Sequence, residues 1–352
     1  MLRYPIYEWD LIQRTLEEIM ILAGDIGGTK CTLMVFLENG DGLEPVFRLS
    51  FRSKDFASLE SLVHAFRAAF LKADPNRGST RLTAAAFGVA GAIVDSHVLT
   101  NNLPWSVEAG TLAQSLDLDV GQIVLLNDLV ATALSLAHLP QRDLLQLNAG
   151  AVQPQAPKAL IAAGTGLGEA ILFWDGQRYR VSPSEASLTD FAPRNDRELL
   201  VLQSLRQRMP RVCTEEIVSG RGFRAIHQII FPGVHHAFFD DGAGDAAAKI
   251  TQRALAGSCP ACVETLQIWT EAYGAEAGNM ALRILPFGGV YVAGGIALKI
   301  LPKLKDGSFV RVFSDKAKLS TQLARIPMYV VLNEDAPVLG AAYEALAASR
   351  VH

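Results

Sequence analysis

The sequence predicts an α/β protein of two domains, and three observations lead to this prediction. Apolar runs of strand length alternate with helical patterns along nearly the whole chain, which is typical of α/β folds. The chain has 352 residues, of which 50% are hydrophobic, and this suits two domains that each have a core. A strand, a turn rich in Gly and Thr, and a second strand occur twice, once near the start of each half.

The first half begins with a predicted β-hairpin. Apolar runs at residues 21–23 and 31–37 flank a glycine-rich turn, which is the pattern of two antiparallel strands. The turn is Gly24-Asp25-Ile26-Gly27-Gly28-Thr29-Lys30. Beyond it, the hydrophobic periodicity predicts a helix at 59–71, strands at 83–89 and 123–126, and a helix at 129–139 that Pro140 ends.

The second half repeats this arrangement without repeating its sequence. Apolar runs at 159–163 and 170–174 flank the turn Gly164-Thr165-Gly166-Leu167-Gly168. A third glycine cluster, Gly288-Gly289 with Gly294-Gly295, brackets a predicted strand at 290–293. The last predicted helix, 338–348, follows Pro337. The similarity of the halves is therefore architectural and is not a tandem repeat.

Turns of this composition are suited to binding phosphate. Glycine tolerates positive φ and lets the backbone approach a ligand closely. Successive N–H groups form a concave anion site, and a Thr hydroxyl adds a further donor. Two such turns on facing halves would hold one polyphosphate from both sides. A single turn of this kind is more often an ordinary hairpin turn, and only the two turns together with the third glycine cluster make phosphate binding an equal alternative.

Several other functions are disfavoured. The sequence has no GxxxxGK[ST] P-loop, and its GTGLGE run matches GxGxxG only loosely and precedes a strand rather than a helix. With 32 basic and 36 acidic residues, the net charge of −4 gives no electrostatic footprint for nucleic acid. No apolar stretch reaches the ~18 residues that cross a bilayer. These features predict a small-molecule protein of the cytoplasm, with neither nucleic acid nor a membrane as partner.

Residues 1–20 and the cysteines carry less information. Acidic residues within 1–20 stand where a signal peptide has its apolar core, so this segment is predicted to be an N-terminal extension.

The four dispersed cysteines fit a reducing compartment. Cys259 and Cys262 form a CxxC pair, interpreted as small apolar residues at a helix start because no second pair of His or Cys ligands is recognised nearby; a metal or redox role is the alternative. A solvated loop, rather than a metal site, is the interpretation of His235, His236, Asp240 and Asp241.

A set of segments in a fixed order carries a family resemblance. They are 23–30 (AGDIGGTK), 126–128 (LND), 163–169 (AGTGLGE) and 289–296 (GVYVAGGI), with 102–105, 190–193 and 273–279 in support. The first resembles the phosphate motif of the hexokinase and actin-like ATPase superfamily. The next three resemble the catalytic segment, the second phosphate motif and the adenosine motif of bacterial glucokinases. The matches follow the family's order from about residue 21 to the C-terminus, and this order is far more specific than any single motif.

The resemblance implies a fold and an activity. The fold is a pair of RNase-H-like domains of the actin-like ATPase type around a central cleft, with the extension 1–20, a small domain of 21–137 plus 334–352, and a large domain of 138–333. The activity is ATP-dependent phosphorylation of a hexose, most often D-glucose, with Mg²⁺. A homodimer is expected by analogy. A kinase for another hexose or amino sugar, and a catalytically weak sugar or nucleotide sensor, are the alternatives.

Asp128 is the expected general base. It stands where a predicted strand meets a helix, a position that faces the ligand crevice in open α/β sheets. Spacing alone favours a helix N-cap, whereas the family match favours a carboxylate that accepts the proton of the attacking sugar hydroxyl, and both roles are compatible. The expected sugar-binding residues are Asn102, Asn127, Asp128, Glu185 and Glu215.

The resemblance also assigns the residues that bind the cofactors ATP and Mg²⁺. Asp25 resembles the family's aspartate near the metal, and since Mg²⁺ keeps several waters we expect contact through water. The alternatives are a hairpin-turn aspartate at Asp25 and a solvated strand residue at Lys30. The expected nucleotide-binding residues are Gly24, Asp25, Ile26, Gly27, Gly28, Thr29, Lys30, Gly164, Thr165, Gly166, Gly294 and Gly295.

One segment departs from the family pattern. The family usually has Glu-Gly-Gly-His before Asp-Phe-Ala-Pro, whereas this chain has Glu185-Ala186-Ser187-Leu188. Leu188 thus replaces a histidine that contacts sugar, and losing a hydrogen bond of this kind changes affinity by ~1–3 kcal/mol. Weaker glucose binding or a shifted sugar preference is predicted. The CxCGxxGC motif of the family's zinc-bearing relatives is absent, which argues against that branch and its DNA-binding repressors.

Overall fold

The computed structural model describes residues 19–40, 42–94, 97–99, 103, 105–240 and 246–350, and the account below concerns these. The chain divides into two compact units. The first contains residues 1–128 and 341–352, and the second contains 129–340. The polypeptide therefore passes from one unit to the other directly after Asp128 and again between Gly340 and Ala341.

The first unit is built on a five-stranded sheet in the order β3-β2-β1-β4-β7. The strands β1, β2 and β3 form an antiparallel meander, whereas β1, β4 and β7 run parallel. A two-stranded ribbon, β5 with β6, lies outside this sheet. The strand bounds are β1 Met20–Ile26, β2 Lys30–Asn39, β3 Gly42–Arg52, β4 Ala84–Val89, β5 Ala92–Val94, β6 His97–Leu99 and β7 Ile123–Asn127.

Helix α1 (Leu59–Ala73) shows how the sequence forms the first core. Ser58 caps it with a reciprocal hydrogen-bonded pair involving Ser61, which satisfies donors that a helix start leaves open. Its apolar face is buried and includes Leu62, Phe66 and Phe70. Phe47 of β3 stacks on Phe70 with ring centroids 5.0 Å apart. The other helices here are α2 Pro75–Gly78 and α3 Ala109–Leu116.

Helix α4 (Asp128–Ser135) leads from the last residue of segment 1–128 into the second unit. The six-stranded sheet of the second unit has the order β11-β10-β9-β12-β13-β8. Strands β9, β10 and β11 are antiparallel, and β9, β12 and β13 are parallel. The strand bounds are β8 Leu144–Gln146, β9 Lys158–Ala163, β10 Leu167–Trp174, β11 Tyr179–Ser184, β12 Val290–Ala293 and β13 Met328–Val331.

The long helix α9 (Pro260–Ile284) is the centre of the second core. Its Trp269 and Tyr273 are fully buried, and the Tyr273 hydroxyl donates a hydrogen bond to the Ile161 carbonyl of β9 at 3.1 Å. The remaining helices are α5 Asp196–Arg206, α6 Thr214–Ile217, α7 Gly220–Ile230, α8 Ala246–Leu255, α10 Gly295–Lys299, α11 Leu301–Leu304, α12 Ser308–Ser314, α13 Ser320–Leu323 and α14 Ala336–Ser349.

The predicted elements are present, but some differ in length. Strand β1 runs on to Ile26 and β10 begins at Leu167, because these residues pair within their hairpins, so the turns 27–29 and 164–166 are shorter than predicted. Both glycine-turn hairpins are present, as β1–β2 and as β9–β10. The helix predicted at 129–139 ends at Ser135, because residues 136–139 form tighter turns in which His138 and Leu139 both donate to the Ser135 carbonyl. Within the described ranges, no helix is both long and apolar enough to cross a membrane.

Candidate active site

Asp25 and Asp128 stand at the same edge of the first sheet. In the parallel strands, Asp25 of β1 is level with Gly88 of β4, and Gly88 is level with Leu126 of β7. One strand therefore separates Asp25 from the end of β7, a spacing of about 10 Å. The carboxyl edge of parallel strands is where α/β proteins bind ligands.

Asp128 is the first residue of α4 and follows β7 without an intervening loop. It is half-buried, and a carboxylate at a helix N-terminus is stabilised there by the unpaired N–H groups of the first turn. The side chain of the preceding residue is held by a hydrogen bond, in which Asn127 Nδ2 donates to the Gly91 carbonyl at 3.0 Å. The structure therefore places Asp128 in the first turn of α4, at the carboxyl edge of the first sheet, and its helix-start role and its role as a base both stay predictions.

The first glycine turn is held by its own backbone and by a serine. Gly27 N donates to the Lys30 carbonyl at 3.1 Å, and the buried Ser53 hydroxyl donates to the Gly27 carbonyl at 2.5 Å. Ser53 N also donates to the Thr29 carbonyl at 3.2 Å. Ser53 was not predicted, since nothing in its local sequence links it to a turn that lies more than twenty residues earlier.

Residues of this turn differ in what they expose. The Ile26 side chain is fully buried, so only its backbone is available to a ligand. The side chains around Gly24 leave no room for a larger residue, because a Cβ there would come within 2.5 Å of Leu33 and 2.9 Å of Phe87. The exposed members are Gly28, Thr29 and Lys30.

The second glycine turn joins β9 to β10 and is braced by α6 and α7. Gly164 N donates to the Gly166 carbonyl at 2.8 Å, and Gly220 N donates to the Gly164 carbonyl at 2.9 Å. Glu215 Oε2 accepts from Leu167 N at 2.9 Å, and a Cβ on Gly166 would lie 2.5 Å from that same oxygen. A side chain at 166 would therefore have to displace the Glu215 carboxylate from Leu167 N, and Thr165 at the tip is exposed.

The third glycine cluster lies beside the second turn. Strands β12 and β9 are parallel, with Ala293 level with Ala162. Gly294 follows with φ +90° and ψ 159°, a region open almost only to glycine, and a Cβ there would be 2.6 Å from the Ala163 carbonyl oxygen. Gly27, Gly164 and Gly166 lie outside the positive-φ region, so no unusual φ requires glycine at these positions.

The expected sugar residues are placed as follows. Glu215 also accepts from Arg221 Nη2 at 2.5 Å, so its carboxylate links the second turn to the start of α7. Arg221 was not predicted. Glu185 is exposed and precedes a 3₁₀ turn, Ala186–Leu188, in which the Leu188 side chain is 48% exposed. Asn102 lies outside the described residues.

Comparison with known proteins decides the family. The sequence profile of the glucokinase family matches residues 22–348. A glucokinase of Nostoc sp. (strain PCC 7120) is 38% identical over 343 residues, covering 92% of this chain and 98% of the relative. A glucokinase of Synechocystis sp. (strain PCC 6803) is 37% identical over 350 residues, covering 92% and 97%. The chain belongs to the glucokinase family.

The fold agrees with that membership. The crystal structure of a glucokinase from an Antarctic psychrotroph superposes with a TM-score of 0.80 at 26% identity, covering 93% of this chain and 99% of that one. The predicted fold class, α/β units of the RNase-H-like, actin-like ATPase type, is confirmed. The AGTGLGE and GVYVAGGI segments meet at one sheet edge because their strands, β9 and β12, are parallel neighbours.

A buried carboxyl pair lies beneath the second glucokinase turn. Glu169 of β10 is 1% exposed, and neither carboxyl oxygen has a hydrogen-bond partner among the described protein atoms. Glu276 of α9 is buried beside it, and Arg283 Nη1 lies 4.0 Å from Glu169 Oε2 and 3.3 Å from Glu276 Oε1. Burial, followed by the neighbouring Glu276, raises the pKa of Glu169 to about 8. Glu169 is therefore protonated at neutral pH.

This carboxyl makes the stability of the protein depend on pH. Its folded pKa of about 8 exceeds the ordinary 4.5, so between these values the folded chain holds a proton that the unfolded chain has lost. The free energy of unfolding should then fall as pH rises from about 5 to about 8, by up to ~1.4 kcal/mol per pH unit. Glu169→Gln, which has no proton to lose, should flatten this slope in urea unfolding at pH 6 and pH 8. An unchanged slope in the variant would show that another group is responsible.

Proposed function

We propose that this chain transfers the γ-phosphoryl group of ATP to the 6-hydroxyl of D-glucose, giving ADP and glucose 6-phosphate. The observation that carries the proposal is the position of Asp128. It stands at the carboxyl edge of the first sheet, two residues beyond the position that is level with Asp25, and it directly precedes Leu129 of the second unit. Leu129 Cδ2 would lie 3.0 Å from a Cβ on Gly168, so the residue after Asp128 packs against the strand that follows the second glycine turn.

The nucleotide is proposed to be bound mainly through the backbone. The N–H groups of Gly27 and Gly164 are used within their own turns, so amide groups of residues 28–30 and 165–166 are the proposed donors for phosphate oxygens. The exposed hydroxyls of Thr29 and Thr165 add two more. Ser53 and Glu215 hold the two turns in shape, so little reorganisation is needed when the ligand binds. The small helix start at Gly294-Gly295 is assigned to the adenosine part.

The sugar hydroxyl is proposed to be activated by Asp128. Its carboxylate accepts the proton as the oxygen attacks phosphorus in line with the leaving ADP oxygen. Asn127, held by Gly91, and the carboxylates Glu185 and Glu215 would orient the sugar through hydrogen bonds to its hydroxyls. Glu215 retains lone pairs for this beside the two bonds that it already accepts.

The metal is proposed to be Mg²⁺. Asp25 offers a half-buried carboxylate at the same edge as Asp128, and Mg²⁺ characteristically uses one or two carboxylates with waters and phosphate oxygens. Bound there with ATP, it would neutralise the developing phosphate charge. We further propose, on the family resemblance alone, a cytoplasmic homodimer.

The test is sugar-dependent release of ADP by the purified full chain with Mg²⁺, across a panel of hexoses and amino sugars. Glucose should give the highest kcat/KM, and the product should be glucose 6-phosphate by a dehydrogenase-coupled assay. Activity on another sugar alone would support a different sugar kinase. ATP binding without turnover on any member of the panel would support a sensor and contradict the proposal.

Leu188 is expected to make glucose binding weaker than a histidine would. Its exposed side chain follows Glu185 within one turn and offers no hydrogen bond to a hydroxyl. Leu188→His should lower KM for glucose about tenfold, equivalent to ~1.4 kcal/mol, with a smaller change in KM for ATP. Exposed Leu199→His on helix α5 is the control for adding a histidine to the surface. An unchanged KM for glucose would show that position 188 does not contact the sugar.

A further inference from the structure

A cluster of two histidines and two cysteines lies in the second unit, apart from the glycine turns. His227 is on α7, His236 follows that helix, Cys259 is the N-cap of α9, and Cys262 is in the first turn of α9. One ligand atom from each of the four lies within 4.8 Å of every other. We propose that these four side chains bind one Zn²⁺ ion as a structural site.

The distances fit a tetrahedral centre. His236 Nε2 lies 3.5 Å from Cys259 Sγ and 3.6 Å from Cys262 Sγ. With Zn–S of about 2.3 Å and Zn–N of about 2.0–2.1 Å, tetrahedral geometry separates nitrogen from sulfur by about 3.5–3.6 Å. A single N–H cannot point along both directions, whereas one central ion accounts for both distances. Two thiolates and two imidazoles are also a common ligand set for structural zinc.

His227 supplies the second observation. Its ring is fully buried, and neither nitrogen has a hydrogen-bond partner in the described part of the chain. A buried polar ring without a partner costs free energy, and such rings are uncommon unless an unseen ligand satisfies them. A metal ion bound by a ring nitrogen would remove this cost. The centroid of the His227 ring lies 5.1 Å from that of the His236 ring, so the two imidazoles are direct neighbours.

The surroundings favour neutral imidazoles and a water-excluded site. Phe231 and Phe239 pack against His227, with centroids 5.8 and 5.2 Å away, and Phe238 stacks on His236 at 4.9 Å. A neutral imidazole carries one unprotonated ring nitrogen, and that nitrogen is the atom that binds a metal. The cysteines are free thiols in the apoprotein, and each would release its proton to solvent on binding the ion.

The charged groups nearby do not compete for the cysteines. The Arg253 guanidinium lies over the Phe238 ring at 5.5 Å, and His235 pairs with Asp240 at 2.7 Å instead of joining the cluster. The interpretation of Cys259 and Cys262 as lacking a second ligand pair was therefore wrong. The second pair is separated from Cys259 by 23 residues or more and is brought beside it only by the packing of α7 on α9.

The ion would tie together three segments: the end of α7, the connection after it, and the start of α9. The opposite end of α7 begins at Gly220, whose N–H braces the second glycine turn through the Gly164 carbonyl. Phe223 of α7 stacks on Trp269 of α9 with centroids 4.5 Å apart, so the two helices form one rigid pair. The metal would thus position α7 from a point about 10 Å along the helix from Gly220, and would take no part in chemistry.

The experiment measures the zinc content of the protein directly. The sample is the full-length chain without an affinity tag, purified in a buffer that contains zinc and no chelator. Elemental analysis should find about one zinc per chain. Cys262→Ser and His236→Ala should each reduce this at least tenfold, whereas Cys213→Ser, a thiol outside the cluster, should leave it unchanged. Replacing zinc by cobalt should give the visible absorption and sulfur-to-metal charge-transfer bands of a tetrahedral thiolate site.

A second measurement does not depend on whether the variants fold. In the wild-type chain, two thiols should react with a disulfide reagent much more slowly when zinc is bound than after removal of zinc by a strong chelator. Chelation should also lower the melting temperature, with recovery on adding zinc back. A metal-free wild type whose thiols react alike with and without added zinc would overturn the proposal, and so would zinc retained by Cys259→Ser/Cys262→Ser. Neither outcome depends on kinase activity.

Discussion

Asp128→Asn should lower kcat by about 10³-fold while glucose binding, measured by calorimetry, stays within a few-fold of the wild type. A positioned general base contributes typically 10²–10⁴-fold, and the amide of Asn cannot accept the proton of the attacking hydroxyl. Asn nevertheless caps a helix as well as Asp does, so the start of α4 should remain folded. The readouts are kcat from ADP release and the binding isotherm for glucose.

Asp128→Ala separates the two roles of this residue. It removes the base and the cap together, so it should show the same loss of kcat and, in addition, a lower free energy of unfolding by ~1 kcal/mol. If Asp128→Asn kept near-normal turnover while only Asp128→Ala was impaired, the carboxylate would serve only to stabilise the start of helix α4. The assignment of a catalytic role to position 128 would then be wrong.

Among glycine-to-alanine substitutions at the nucleotide-binding edge, Gly294→Ala should be the most destabilising. At φ +90° and ψ 159° a side chain is strained, and the new Cβ would lie 2.6 Å from the Ala163 carbonyl oxygen, which belongs to the backbone just before the second turn. We expect a loss of ~3 kcal/mol or more in the free energy of unfolding, from strain and overpacking together. KM for ATP should rise at least tenfold, because relieving the contact displaces Gly164.

The next residue provides a matched control. Gly295 begins α10, and a Cβ there meets no atom within 4 Å. Gly295→Ala should therefore fold as well as the wild type, with any effect confined to ATP affinity. Chemical denaturation and ATP titration of both variants make the comparison. Equal stability of Gly294→Ala and the wild type would contradict the packing of the third glycine cluster on β9.

The sequence predicted the parts of the fold that depend on local patterns. Both hairpins, the buried face of α1 and the strand at Val290–Ala293 were recognised, because alternation, helical spacing and glycine turns are all local signals. The order of the family motifs also identified which turns to examine. Strand pairing then explains why they matter, since parallel register aligns Asp25 with β7 and Ala163 with Gly294.

The sequence could not predict contacts between side chains that lie far apart along the chain. Ser53 reaches Gly27, and Glu215 reaches the second turn, through packing that no local pattern encodes. The His227 and His236 rings meet the CxxC pair for the same reason. The early end of α4 at Ser135 is another case, because the apolar run continues to Leu139 while the backbone has already tightened into turns.

The most direct test is a crystal structure of the full chain with glucose, Mg²⁺ and a non-hydrolysable ATP analogue. We predict amide contacts from residues 28–30 and from residues 165–166 to the same triphosphate. The Asp128 carboxylate should lie within hydrogen-bonding distance of the glucose 6-hydroxyl. A triphosphate bound by one turn alone, or a sugar whose 6-hydroxyl is out of reach of Asp128, would contradict the account.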